Sequence, residues 1–132
     1  VLSTVISVPA AGRAVLDAGS KALTTDQGAH GADLLSGFGE IPQKGVSLQR
    51  VSEEHGVVAY DPEQASMTVG ETVQIRPNHA CPVINLFDYA YLVKRKQVID
   101  VYPIAARGHS PKKQPGPASA RSTPDRAYQG SG

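Results

Sequence analysis

With 132 residues the chain has room for one domain, and its single cysteine, Cys81, excludes an internal disulfide. Nothing in it therefore calls for an oxidising compartment, and a cytoplasmic location is expected. The formal net charge is +1, but Lys112, Lys113, Arg121 and Arg126 against Asp125 place +3 on residues 109–132 and leave −2 on residues 1–108, which argues against a nucleic-acid footprint on the folded part. No apolar run approaches the ~20 residues of a membrane helix, so no membrane partner is expected. The first ten residues lack the basic start and long apolar stretch of a signal peptide. The chain opens on Val1 with a strand under way, as a piece cut from a longer protein would.

Most apolar runs are short, β-branched and separated by turn residues, which predicts strands. Leu2–Val8 is the first, closed by Pro9, and Arg13–Asp17 follows after Ala10-Ala11-Gly12. Lys21–Thr25 reads as a third strand, and Asp26–Ala32 as a glycine-rich loop. Val46–Val51 and Val57–Tyr60 are expected to pair across Ser52-Glu53-Glu54-His55-Gly56. Glu71–Arg76 alternates cleanly. A short helix is expected at Val83–Phe87. Tyr89–Val93 and Gln97–Tyr102 flank Lys94-Arg95-Lys96, a charged hairpin tip. The fold class is all-β, and a barrel is favoured over a sandwich because closure removes exposed edges. Residues 109–132 hold four of the ten prolines and almost no large apolar side chain. Such a segment buries too little to offset the entropy of ordering it, and a flexible tail is expected.

The segment that carries chemistry is Arg76-Pro77-Asn78-His79-Ala80-Cys81-Pro82. Pro82 biases Cys81, and Pro77 biases Arg76, away from the helical region. In extended backbone His79 and Cys81 share a face, whereas on a helix they would diverge by about 200°. An imidazole and a thiolate on one face suit zinc. A closed structural site needs four ligands, so this pair would leave positions open, as catalytic metals do. By spacing alone, the alternative stands: Cys81 as a small buried hydrophobe and His79 as a hydrogen-bonded turn residue.

Residues 69–93 (VGETVQIRPNHACPVINLFDYAYLV) and 98–108 (VIDVYPIAARG) resemble the C-terminal signature of the D-serine dehydratase-like family, which includes D-threonine aldolases. Residues 1–28 resemble the opening of the same domain, and 51–58 its middle. The resemblance covers nearly all of residues 1–108. It implies a metal-binding β-domain joined to a pyridoxal-phosphate (PLP) (β/α)8 barrel of the alanine-racemase type, with the Schiff-base lysine in that barrel. His79 and Cys81 match the family's His-x-Cys or His-x-Asp metal pair. The implied reaction is elimination from, or retro-aldol cleavage of, a small D-β-hydroxy amino acid by a homodimeric enzyme. His-x-Cys leans toward the dehydratase branch, and a thiolate toward zinc. The chain alone is then expected to be inactive. The rival reading is an orphan metal-binding or interaction domain, or one that docks on a separately encoded barrel.

Other residues draw attention. Lys21 is read as a strand or surface residue rather than a Schiff-base lysine, which the resemblance places in the barrel. Asp17, Gly19, Asp26 and Gln27 fall in a family-like segment. Asp26-Gln27-Gly28 is read as a capped turn, with a pocket-facing role as the alternative. Glu53-Glu54-His55 either orients a metal ligand from behind or pins a strand connection. Asn78 and Asn85 are candidates for orienting the metal segment. Tyr89, Tyr91 and Tyr102 are read as barrel side chains, with Tyr89 and Tyr91 on one face. His30 and His109 are expected to be solvated, and Arg107 to hold the domain's end through an ion pair.

Overall fold

A computed structural model describes residues 1–26, 36–105 and 107–108. Six strands form one antiparallel sheet in the order β3-β4-β5-β2-β1-β6. They are β1 (Leu2–Ala10), β2 (Arg13–Leu16), β3 (Glu40–Ile41), β4 (Val46–Val51), β5 (Gly56–Ala59) and β6 (Thr72–Gln74). A turn of helix, α1 (Ser20–Leu23), follows β2, and a second, α2 (Ala80–Ile84), follows β6. Two further strands, β7 (Tyr89–Lys94) and β8 (Gln97–Pro103), pair only with each other. The expected tail and Gln27–Ala32, with His30 and His109, lie outside the described residues.

The inward faces follow the period of two that strands impose. Ser3 and Val5 of β1, Ala14 and Leu16 of β2, Leu48 of β4, Val58 of β5 and Val73 of β6 are buried, with exposed or half-buried residues between them. Leu23, Ile41, Met67 and Ile75 complete the core. Register shifts in β1, between Val5 and Ala10, and in β4, between Leu48 and Arg50, bend those strands. Where Asp17 leaves β2, its carboxylate accepts from the Ser3 hydroxyl and the Thr4 N–H, each at 2.7 Å. Partial burial opposes its ionisation, but these bonds outweigh it and hold the carboxyl below its usual range.

The two edges of the sheet meet. Glu40 of β3 and Arg76, just beyond β6, form an antiparallel bridge, Glu40 N–H to Arg76 C=O at 2.9 Å and Arg76 N–H to Glu40 C=O at 2.8 Å. Side chains reinforce the seam. Arg76 Nη1 lies 3.1 Å from Glu40 Oε2, and Gln43 Nε2 donates to Gln74 Oε1 at 2.8 Å. Lys44 pairs with Glu71, whose carboxyl it holds below the usual range, and donates to the Ser66 carbonyl at 2.8 Å. Gly39 enters this seam at φ 144°, where an added Cβ would lie 3.0 Å from Ile75 Cγ2 and 3.2 Å from the Arg76 carbonyl. The barrel-like, all-β class read from the sequence is the one observed.

Two expectations change. Lys21–Thr25 is not a strand. Ser20 N–H and Lys21 N–H donate to the carbonyls of Ser52 and Glu53, and this docking turns the segment into α1, with Leu23 in the core. Tyr89, Tyr91 and Tyr102 are not barrel side chains, because β7 and β8 stand outside the six-stranded sheet and all three rings are half or more exposed. The β7–β8 hairpin turns through Arg95 and Lys96 with φ of 50° and 66°, the left-handed pair of a two-residue hairpin loop. No helix among the described residues is long and apolar enough to cross a membrane.

Core packing and seam contacts should separate cleanly in stability measurements. Leu48→Ala, at a fully buried position, is expected to lower the unfolding free energy by about 2–5 kcal/mol. Arg76→Gln removes an exposed ion pair but leaves the backbone bridge, and should cost less than about 1 kcal/mol. Urea unfolding of the two variants beside the wild type checks both.

Candidate metal site

The segment carrying His79 and Cys81 begins where the barrel closes. Arg76 ends the seam, and Pro77, with no N–H, cannot extend the ladder. Asn78 then anchors the chain, donating from Nδ2 to the Gly37 carbonyl at 2.8 Å and, more weakly, to the Asp26 carbonyl at 3.4 Å. Gly37 is required there. Its φ is +74°, and a Cβ would fall 2.0 Å from the Leu48 carbonyl of β4. Of the two asparagines considered, Asn78 is thus the one tied across the fold. Asn85 follows α2 and donates its backbone N–H to Val83.

His79 is extended, with φ −139° and ψ 107°, and sits at the N-cap of α2. Cys81 lies inside the first turn of that helix, so the expected extended pair holds for His79 and fails for Cys81. Pro82 itself is tolerated because N–H groups in a helix's first turn have no intrahelical acceptor to lose, and its steric bias on Cys81 is overridden. The helix also begins and ends earlier than expected, spanning Ala80–Ile84 rather than Val83–Phe87. His79 and Cys81 both lie at the N-terminal end of α2, one at its cap and the other in its first turn, and not side by side on a strand.

The imidazole has a partner that the spacing argument did not supply. His79 Nδ1 lies 3.2 Å from Asp26 Oδ2, across 53 positions of sequence. Asp26 thus faces the candidate site, while its own N–H bonds back to Thr24 Oγ1 at 3.2 Å as a turn residue would. Both readings of Asp26 meet in one residue; Gln27 and Gly28 lie outside the described residues. Cys81 is a free, exposed thiol and not a buried hydrophobe. It lines an apolar groove of about 730 Å³ with Val1, Leu2, Ile84, Phe87 and Tyr91. Among the described residues no three His, Cys, Asp or Glu side chains form a group able to hold a metal. A nitrogen and a sulfur donor at one helix end are too few, among the described residues, for a closed structural zinc site.

The remaining candidates fall into place away from His79. Lys21 is a surface residue of α1 paired with Glu54 and, at 3.8 Å, Glu53. Glu53 and Glu54 thereby help pin α1 to the β4–β5 turn, where Ser52 N–H donates to the His55 carbonyl at 2.8 Å. This is the strand-connection reading. Arg107 pairs with Asp88, whose carbonyl also accepts from Ile104 N–H at 2.9 Å, so Arg107 does tie the domain's end.

Residues 1–93 match the family of the putative serine dehydratase domain. The chain belongs to this family. A D-threonine aldolase of Arthrobacter sp is 36% identical over 110 residues, which are 83% of this chain and 27% of that protein. The chain therefore spans about a quarter of the length of that relative. An uncharacterised protein of Mycobacterium tuberculosis is 35% identical over 97 residues, 73% of this chain and 70% of that one. Among solved structures, D-threonine aldolase from Filomicrobium marinum superposes with a TM-score of 0.68 at 32% identity, covering 81% of this chain and 27% of that one. D-threo-3-hydroxyaspartate dehydratase from Delftia sp. HT23 gives 0.60 at 26% identity, covering 83% and 31%. Variants of the Delftia enzyme with alanine in place of a histidine, and of a cysteine two positions later, have similar folds, the cysteine variant in a metal-free form.

Asn78→Ala removes the anchor between the metal segment and residue 37. Amide exchange over residues 78–81 should quicken, with a stability loss of about 1 kcal/mol. Hydrogen–deuterium exchange and urea unfolding read the two effects.

Proposed function

We propose that this chain is the metal-binding domain of a PLP- and zinc-dependent D-amino-acid lyase that dehydrates D-serine or a related D-β-hydroxy amino acid. The observation that supports the proposal is that His79 and Cys81 fall in the cap and first turn of α2, on a segment tied by the barrel seam and by Asn78, in a chain of this family. The neighbouring D-threo-3-hydroxyaspartate dehydratase, solved metal-free when a cysteine is replaced, supports a thiolate as ligand.

His79 and Cys81 would hold the ion, and the ligand positions they leave open would face substrate and water. When bound, the metal supplies Lewis-acid polarisation of the substrate's β-hydroxyl, and PLP in the partner barrel supplies an electron sink at Cα. The residues of this chain bind and orient. Asn78 fixes the loop, His79 and Cys81 present their donors, and the apolar groove beside Cys81 offers a face for the PLP-binding (β/α)8 barrel. The complete enzyme would be a homodimer. The family segment also makes up most of a short mycobacterial protein, which is consistent with a barrel supplied by a second chain.

A second reading is cleavage of D-threonine or 3-hydroxy-D-aspartate by the same domain. The 36% identity to a D-threonine aldolase and the 32% identity to a 3-hydroxy-D-aspartate aldolase of Paracoccus denitrificans favour it. Cys81, rather than an aspartate, favours dehydration.

Elemental analysis of the purified chain should find close to one zinc per molecule, lost in both His79→Ala and Cys81→Ala. A wild-type chain that takes up no zinc from an excess overturns the proposal. The isolated chain should release no pyruvate from D-serine even with PLP added, because the Schiff-base lysine lies in the barrel; turnover by the chain alone would contradict the domain assignment.

A further inference from the structure

We infer that Asp26 is the positioning residue of the metal site, fixing the tautomer and the ring orientation of His79. The inference rests on the proposal that His79 is a metal ligand and extends it to a residue outside the His-x-Cys pair.

Three contacts lead there. Asp26 Oδ2 lies 3.2 Å from His79 Nδ1. The carbonyl of Asp26 accepts from Asn78, the residue just before His79, at 3.4 Å. The N–H of Asp26 is held by Thr24 Oγ1 at 3.2 Å. One residue thus grips two successive positions of the metal segment while its own backbone is fixed by the turn after α1.

The chemistry follows from the imidazole's two nitrogens. A carboxylate carries no proton to donate, so Nδ1 must be the protonated nitrogen of the neutral ring facing it. Nε2 then keeps its lone pair and is the atom left to ligate. A carboxylate hydrogen-bonded behind a histidine also holds the ring in the orientation that a cation requires. Without Asp26, the ring would be free to rotate and to exchange tautomers, and each productive binding event would have to select one arrangement. The competing assignment makes Asp26 itself a third ligand, and the two predict different behaviour.

The test compares the full chain with Asp26→Ala, Asp26→Glu and His79→Ala. The Asp26 side chain is 52% exposed, so its variants are expected to fold, and circular dichroism verifies this. Long-range 1H–15N spectra of the metal-free chain should show His79 protonated at Nδ1 in the wild type, and that preference should vanish in Asp26→Ala. Zinc affinity should fall about 10- to 100-fold in Asp26→Ala and recover substantially in Asp26→Glu. The visible spectrum of bound Co2+ should keep its shape in Asp26→Ala, because the ligand set is unchanged. An unchanged His79 tautomer or an unchanged zinc affinity in Asp26→Ala overturns the inference. So does a changed cobalt spectrum, which would make Asp26 a ligand. Zinc binding that survives in His79→Ala instead removes the underlying proposal, so the two failures are distinguishable.

Discussion

An open antiparallel sheet has two edges whose N–H and C=O groups must find partners, and here they find each other. The paired hydrogen bonds between Glu40 and Arg76 convert a six-stranded sheet into a barrel. The bridge is short, one residue pair, and its reinforcement comes from contacts on either side: Gln43 with Gln74, Lys44 with Glu71, and the Glu40–Arg76 ion pair. The Glu40–Arg76 ion pair is exposed and contributes little, while Lys44 and Glu71 are more covered. What closes the barrel is burial of Ile41, Leu48, Val73 and Ile75 on the inner face of the seam, with backbone hydrogen bonds satisfied at its rim.

The candidate site is a consequence of that closure. The chain leaves the seam at Arg76, loses its ladder at Pro77 and reaches His79 three residues after the last paired backbone. Such a short lever gives the histidine little freedom. Asn78 removes more by reaching the Gly37 carbonyl, and Asp26 holds the ring. Both partners are brought there by the barrel: Gly37 lies against the Leu48 carbonyl of β4, and Asp26 follows α1, which is docked on the β4–β5 turn. Two donor residues on a segment tied to the barrel are what the proposed role, one wall of an active site, would require.

The β7–β8 hairpin has a different character. Tyr89, Tyr91, Leu92, Val93, Val98, Ile99, Val101 and Tyr102 are all exposed, on both faces of a two-stranded sheet. A hairpin of this kind is marginal in water on its own, and apolar side chains on both faces give it a surface that other chains or domains can cover. In the D-threonine aldolase of Arthrobacter sp, of which the matched 110 residues are 27%, the domain is joined to a much longer chain. The short apolar runs flanking Lys94-Arg95-Lys96 identified two strands correctly but could not reveal whether they joined the barrel, since burial is a property of a strand's surroundings.

What the sequence determined by itself is local. The β-branched runs, their turn residues and the charged hairpin tip marked seven strands closely. Arg107 was legible as an end-tying cation, and the Pro-Asn-His-Ala-Cys-Pro segment as the candidate site. These depend on neighbours within a few positions, where spacing is a physical constraint. Lys21–Leu23 became helix because the carbonyls of Ser52 and Glu53 capture the N–H groups of Ser20 and Lys21, and Cys81 entered the first turn of α2 against the local bias of Pro82. Only the tertiary structure decided that Glu40 would close on Arg76 and that Asp26 would meet His79. Partners 36 and 53 positions apart leave no periodic trace, because their contact is fixed by barrel closure and not by anything adjacent in the chain.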